Sequence, residues 1–215
     1  FGGGSSNAKM GEIALSNNGI LFFDELPHFS KSILEALREP LEDNKILISR
    51  VNSKIMYETK FIFVSAMNPC PCGNLLSSVK ECRCNELEIQ RYKNRLSEPF
   101  LDRIDLYVVM SDSFNDNKNI VSSKDLHDKV IKAFTKQKLR GQIELNGKLS
   151  DSDIKKYCLL DLESEEILQK ARHNYQLSFR SINKVLKVAR TIADLNDNDL
   201  ISKNDLLQSL SFRKR

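Results

Sequence analysis

No stretch of this 215-residue chain stays apolar for the length of a membrane span, which excludes a transmembrane helix on sequence grounds. No basic segment followed by an apolar one opens it either. The chain starts Phe1-Gly2-Gly3-Gly4-Ser5-Ser6, so a secretory leader is not expected. That opening lacks an initiating Met and creates the expectation that the chain begins inside a longer protein. Internal repeats and low-complexity tracts are also lacking. Charge of one sign is not in excess: 33 Lys and Arg against 29 Asp and Glu leave a net charge of +4, which permits nucleic-acid binding without demanding it. The three histidines, His28, His127 and His173, are scattered. None pairs with another as a ligand set would, and all three read as surface or structural.

What is present is enough for a real core: 40% of residues are hydrophobic, in a length that suits one large domain or two small ones. The most informative stretch is Gly19-Ile20-Leu21-Phe22-Phe23-Asp24-Glu25-Leu26. Four large apolar residues run into two acids, as in a strand buried on both faces of a parallel sheet. The acids then sit at the carboxyl end of the strand, where open α/β sheets bind ligands. Asp followed by Glu there is the Walker B arrangement of nucleotide hydrolases. Alternatively, such a strand simply ends in a solvated acidic turn, so the motif needs company.

Ser30 is placed to cap a helix carrying Ile33, Leu34 and Leu37 that stops near Pro40. Residues 45–59 read as a hairpin, with Ile46 and Ile48 alternating and Val51-Asn52-Ser53-Lys54 as the turn. A second buried strand, Phe61 to Met67, ends at Asn68-Pro69. Glu86 to Leu96 reads as a helix and Ile104 to Met110 as a third strand. Beyond this point only helical periodicity remains. One helix carries Leu126, Val130, Ile131 and Phe134; another starts at Ser150; a third carries Ile167, Leu168 and Ala171. The strongest runs from Ser178, and the last begins at Ser202. The expected organisation is an α/β layer over 1–112, a linker over 113–122 and an all-helical domain over 123–215. The strands are too few for a complete doubly wound sheet.

Five cysteines, four of them clustered, without a secretory signal, fit a reducing cytoplasmic compartment, where clustered Cys more often bind metal than form disulfides. Cys70-Pro71-Cys72 and Cys82-Arg83-Cys84 are two CxC pairs with nine residues between them. Four thiolates in one loop can close a tetrahedral Zn²⁺ site of structural type. A redox-labile thiol cluster and ordinary loop cysteines remain the alternatives. Cys158, alone on a helical pattern, reads as core.

Asp24 and Glu25, Asn68, Arg103 and Arg180 line up in order with the strand ends and the strongest helix. In these strings the chain resembles AAA+ ATPases of the magnesium-chelatase-like family, in its ComM (YifB) branch. The strings are Gly11-Glu12-Ile13 and Asp24-Glu25-Leu26-Pro27, Leu34 to Asp43, Ala66 to Gly73, Leu101 to Leu106, and Ala189 to Leu195. The resemblance implies the C-terminal part of an AAA+ core, a parallel sheet with helices, followed by a helical lid. It implies ATP with Mg²⁺ as cofactor. Asp24 would hold Mg²⁺, Glu25 activate water and Asn68 act as sensor 1. Arg103 would be an arginine finger for a neighbouring subunit, worth on the order of 10³–10⁵ in rate. Arg180 would be sensor 2 in the lid. The hairpin would face a central pore, with Arg50 and Lys54 at its tip contacting DNA phosphates. Read singly, Asn68 before Pro69 could begin a turn, Arg103 could form a local ion pair, and Arg180, Arg50 and Lys54 could be ordinary surface charges.

The phosphate loop Gly-x-x-x-x-Gly-Lys-[Ser/Thr] is absent from the sequence. Its place, with the first core strand, the first helix and the family's N-terminal domain, is expected upstream of Phe1. The chain by itself is therefore expected to bind ATP poorly and hydrolyse none. The resemblance implies a full-length homo-oligomer, a hexameric ring that remodels DNA in branch migration during natural transformation. Two other readings stand beside it: a magnesium-chelatase motor subunit, and a non-catalytic fragment that binds intact subunits.

Overall fold

The computed structural model describes residues 10–50, 53–110 and 121–213. The chain divides into two units, Phe1–Ile104 and Asp105–Arg215. Of the linker expected over 113–122, only Val121 and Ser122 lie within the described residues. No helix among those residues is long and apolar enough to cross a membrane.

The first unit opens with α1 (Glu12–Leu15) and β1 (Ile20–Phe23). A single 3₁₀ turn (Leu26–His28), α2 (Lys31–Ala36) and α3 (Arg38–Asp43) follow. Then come the hairpin β2 (Lys45–Arg50) and β3 (Ser53–Glu58), β4 (Ile62–Ser65), α4 (Glu86–Lys93) and α5 (Glu98–Leu101). β1 and β4 pair in parallel, Ile20 opposite Ile62 through Phe23 opposite Ser65. This mixed α/β unit, with a parallel sheet and flanking helices, is the fold class the sequence leads to.

Four local expectations need correction. β1 is buried on one face only: Leu21 and Phe23 are inside, while Ile20 and Phe22 are exposed, as are Ile62 and Val64 on β4. Side chains alternate across a strand, and the described elements cover just one side of the pair. That side packs Leu21 and Phe23 with Ile13, Leu26, Leu34, Leu37, Leu96 and Phe100. Aromatic contacts tie the layer together, Phe23 stacking on Phe29 at 4.4 Å and meeting Phe63 edge-on at 5.5 Å. Residues 104–110 form no strand; the N–H of Tyr107 instead donates to the carbonyl of Phe212. An apolar run without a ladder partner does not become a strand. The break in the first helix falls at Leu37, and Pro40 sits in the first turn of α3, where its missing N–H would have no helical partner. In the hairpin, Ser53 pairs with Arg50 and Lys54 with Ser49, so the ladder runs further than the four-residue turn allowed.

The second unit is helical: α6 (Ser123–Leu139), a 3₁₀ turn (Asn146–Lys148), α7 (Asp151–Tyr157), α8 (Leu162–Asn174), α9 (Phe179–Leu195) and α10 (Lys203–Ser211). Each α-helix begins at a side-chain cap. Ser122, Ser150, Asp161, Ser178 and Ser202 accept from the N–H three residues on. Leu149, Ile154, Cys158, Leu168, Val185, Ala189, Ala193, Ile201 and Leu206 form the core around α9. Burial pushes the Cys158 thiol up to about 11, as suits a core cysteine. The expected apolar face of α6 is turned outward: Leu126, Val130 and Ile131 are exposed, and Ala133 and Gln137 are buried instead. Ala133 is small, and Gln137 has a specific partner inside, accepting from the N–H of Asn146 at 2.9 Å.

Candidate functional site

The parallel ladder decides where the acids go. Beyond β1 and β4 it continues, with the N–H of Ala66 donating to Phe23 at 2.9 Å and that of Leu26 to Ala66 at 3.0 Å. These bonds hold Asp24-Glu25 beside Ala66, two residues before Asn68, at the carboxyl end of both strands. The three side chains are exposed there. Asp24 accepts from the N–H of Glu25 at 2.9 Å. Glu25 has φ 51°, a left-handed conformation uncommon outside glycine, and such backbone clusters at functional sites. Its carboxylate lies 3.8 Å from Nδ1 of His28. Oxygen ligands of this kind suit a hard divalent cation.

Tyr92 on α4, absent from the expected site residues, sits behind these groups. It is buried, and its hydroxyl receives a backbone hydrogen bond from Asn68. Burial raises its pKa, and the charges of Glu25 and Cys70 add to the rise. His28 meets its ring edge-on at 6.4 Å. A cavity of about 330 Å³ is lined by His28, Pro71, Glu88, Arg91, Tyr92 and Arg95. The only sequence hint was the spacing of Ile89, Tyr92 and Leu96, which marks the inner face of a helix and reads as packing.

The four loop cysteines come together as free thiols. The Sγ atoms of Cys70, Cys72, Cys82 and Cys84 all lie within 4.8 Å of one another. Three separations are 3.4, 3.7 and 3.6 Å. In a tetrahedral site with Zn–S of about 2.3 Å, sulfurs are about 3.8 Å apart. Cys70 is fully buried. Hydrogen bonds from the backbone N–H groups of Asn74 and then Arg83 lower the Cys72 thiol to about 6, whereas desolvation carries Cys84 up to about 12.

The other expected residues lie elsewhere. Arg103 is turned into its own unit, where it pairs with Glu42 and donates to the carbonyls of Pro99 and, at 3.2 Å, Arg38. Arg180 is the second residue of α9 in the helical unit and is exposed. Lys54 is exposed on β3, while the Arg50 side chain and the turn residues lie outside the described residues. In the string Ala189 to Leu195, the polar residues are structural. Arg190 and Asp194 are buried and paired at 3.0 Å, with Arg190 donating at 2.6 Å to the carbonyls of Asn198 and Asp199.

Two family models match the chain. "Magnesium chelatase, subunit ChlI" covers residues 1–118, and "Magnesium chelatase, subunit ChlI C-terminal" covers 121–213. Competence protein ComM of Haemophilus influenzae is 39% identical over 216 residues, 98% of this chain and 42% of its own length. YifB of Salmonella typhimurium is 40% identical over 219 residues, with the same coverage. The DNA replication licensing factor mcm6 of Schizosaccharomyces pombe is 23% identical across 93% of this chain and 23% of its own length. The chain thus spans less than half the length of these relatives. It belongs to the magnesium-chelatase family, and within it to the ComM type.

Proposed function

We propose that the chain is the C-terminal part of a ring-forming AAA+ ATPase that couples ATP hydrolysis to DNA remodelling. The observation that carries this reading is the β1–β4 ladder, which holds Asp24 and Glu25 beside the segment that ends at Asn68. Exposed acids and an amide at the carboxyl end of a parallel pair suit Mg²⁺ and phosphate chemistry. Asp24 holds the cation, which when bound neutralises charge on the phosphates. Glu25 accepts a proton from the attacking water, and Asn68 orients that water. Arg103 leaves Glu42 to serve a neighbouring subunit's site, and Arg180 serves as the lid's contact. Zn²⁺ is the ion we assign to Cys70, Cys72, Cys82 and Cys84. It is a structural ion, because four thiolates leave no open position.

The DNA assignment draws on the relative named a DNA replication licensing factor and on the one named a competence protein. Arg50 and Lys54 at the hairpin end would supply phosphate contacts. The family model's own description favours the second reading, a chelatase-type motor acting on a partner protein. ATPase assays on the full-length hexameric protein separate the two. Stimulation by DNA that weakens steeply with salt supports the first reading. Turnover indifferent to DNA contradicts it. The 215-residue chain, with no phosphate loop in its sequence, should hydrolyse no ATP and act on DNA only through intact subunits.

A further inference from the structure

We propose that metal in the four-cysteine loop positions Asn68, so that the loop is a built-in brace for the carboxyl end of β4. The inference rests on the hydrolase reading of Asn68 given above.

The chain leaves the sheet at Ala66, whose carbonyl accepts the last ladder bond from the N–H of Leu26, and reaches the first thiol at Cys70. Only Met67, Asn68 and Pro69 lie between. Asn68 is thus strung between a fixed strand end and the sulfur cluster. From Pro69 to Asn85 there is neither helix nor strand. Backbone-to-backbone bonds inside that stretch run from Gly73 to Cys70 and from Ser77 to Asn74, while the N–H groups of Val79 and Lys80 donate to Oγ of Ser77 and those of Asn74 and Arg83 to the sulfur of Cys72. A loop so long and so sparsely bonded needs another source of order. The cluster supplies one: its sulfurs already stand near the spacing of a tetrahedral thiolate site, and Cys70 is fully buried.

Asn68 itself touches the loop. Gly73 turns with φ +78°, and a Cβ there would meet Cγ, Nδ2 and Oδ1 of Asn68 at 3.9–4.0 Å. The Asn68 amide therefore packs against the first turn of the metal loop. From the other side, Tyr92 accepts the backbone hydrogen bond of Asn68. One wall of this cradle, Tyr92, belongs to a helix and needs no metal. The other, the Cys70–Gly73 turn, is held by the cysteines. A filled site fixes both walls; an empty one leaves Asn68 on a tether.

The test uses the whole chain without nucleotide or DNA. Prepared under reducing conditions it should carry about one zinc ion per chain, and Co²⁺ in its place should give the visible spectrum of tetrahedral thiolate coordination. Cys158→Ser, outside the cluster, should keep the metal, and Cys72→Ser should lose it. Hydrogen exchange then reads the brace. Removing metal with a chelator should speed exchange at 66–73 by roughly tenfold or more, reversibly, while α9 is unchanged. Chelation of the unmutated chain avoids reliance on a variant that fails to fold. Absence of stoichiometric metal overturns the proposal, as does bound metal whose removal leaves 66–73 unaltered. Because no ATP enters, either failure is distinct from failure of the motor reading, which ATP turnover tests.

Discussion

At the level of single residues, Glu25 is the position on which the proposed chemistry turns. Its left-handed backbone and exposed carboxylate place it to act on a water molecule, while Asp24 beside it is suited to a cation. Glu25→Gln in the full-length protein should retain nucleotide binding and lose turnover by about 10²–10⁴-fold, read by phosphate release alongside a binding titration. Loss of both together would make Glu25 a folding or binding residue instead. Asp205 shows the opposite kind of acid. It is buried at the start of α10; burial pushes its carboxyl up, but hydrogen bonds from Ser202, Asn198 and Asn196 together hold it below its ordinary 3.8. A carboxyl lowered in the folded state stabilises the fold above its unfolded value and loses that contribution as pH falls through the folded one. Asp205→Asn should therefore cost about 1–3 kcal/mol at neutral pH, with the difference from wild type shrinking below about pH 4 in denaturation curves.

Among the elements, the sequence made most of the helices legible because their caps are local. Ser150, Ser178 and Ser202 each announce a helix through a hydroxyl that needs only the next three residues. β1 was legible from its apolar run, and so was β4 from the run that precedes Asn68. Burial was not, because it depends on what covers an element. β1 could not reveal that Ile20 and Phe22 face outward, nor α6 that Ala133 points inward in place of Leu126. Tyr92 was missed for the same reason, since contact with Asn68 is made across two elements distant in sequence. The helical unit offers a direct check. Leu206→Ala, in the core, should lower stability by about 2–5 kcal/mol. Leu126→Ala, on the exposed face of α6, should stay within about 0.5 kcal/mol, by chemical denaturation. Equal effects would restore the apolar face first expected from the spacing.

For the molecule as a whole, the proposed function makes the first unit a hydrolytic edge and the second a helical lid of a DNA-directed motor. The family and the ComM type are fixed by similarity along the whole chain. The motor's work is the central claim. Strand displacement on forked DNA by the full-length protein tests it most directly, with wild type and Glu25→Gln compared in the presence of ATP and Mg²⁺. The account predicts ATP-dependent displacement by wild type and none by the variant. Failure of wild type to displace the strand, or equal displacement by both, would contradict it.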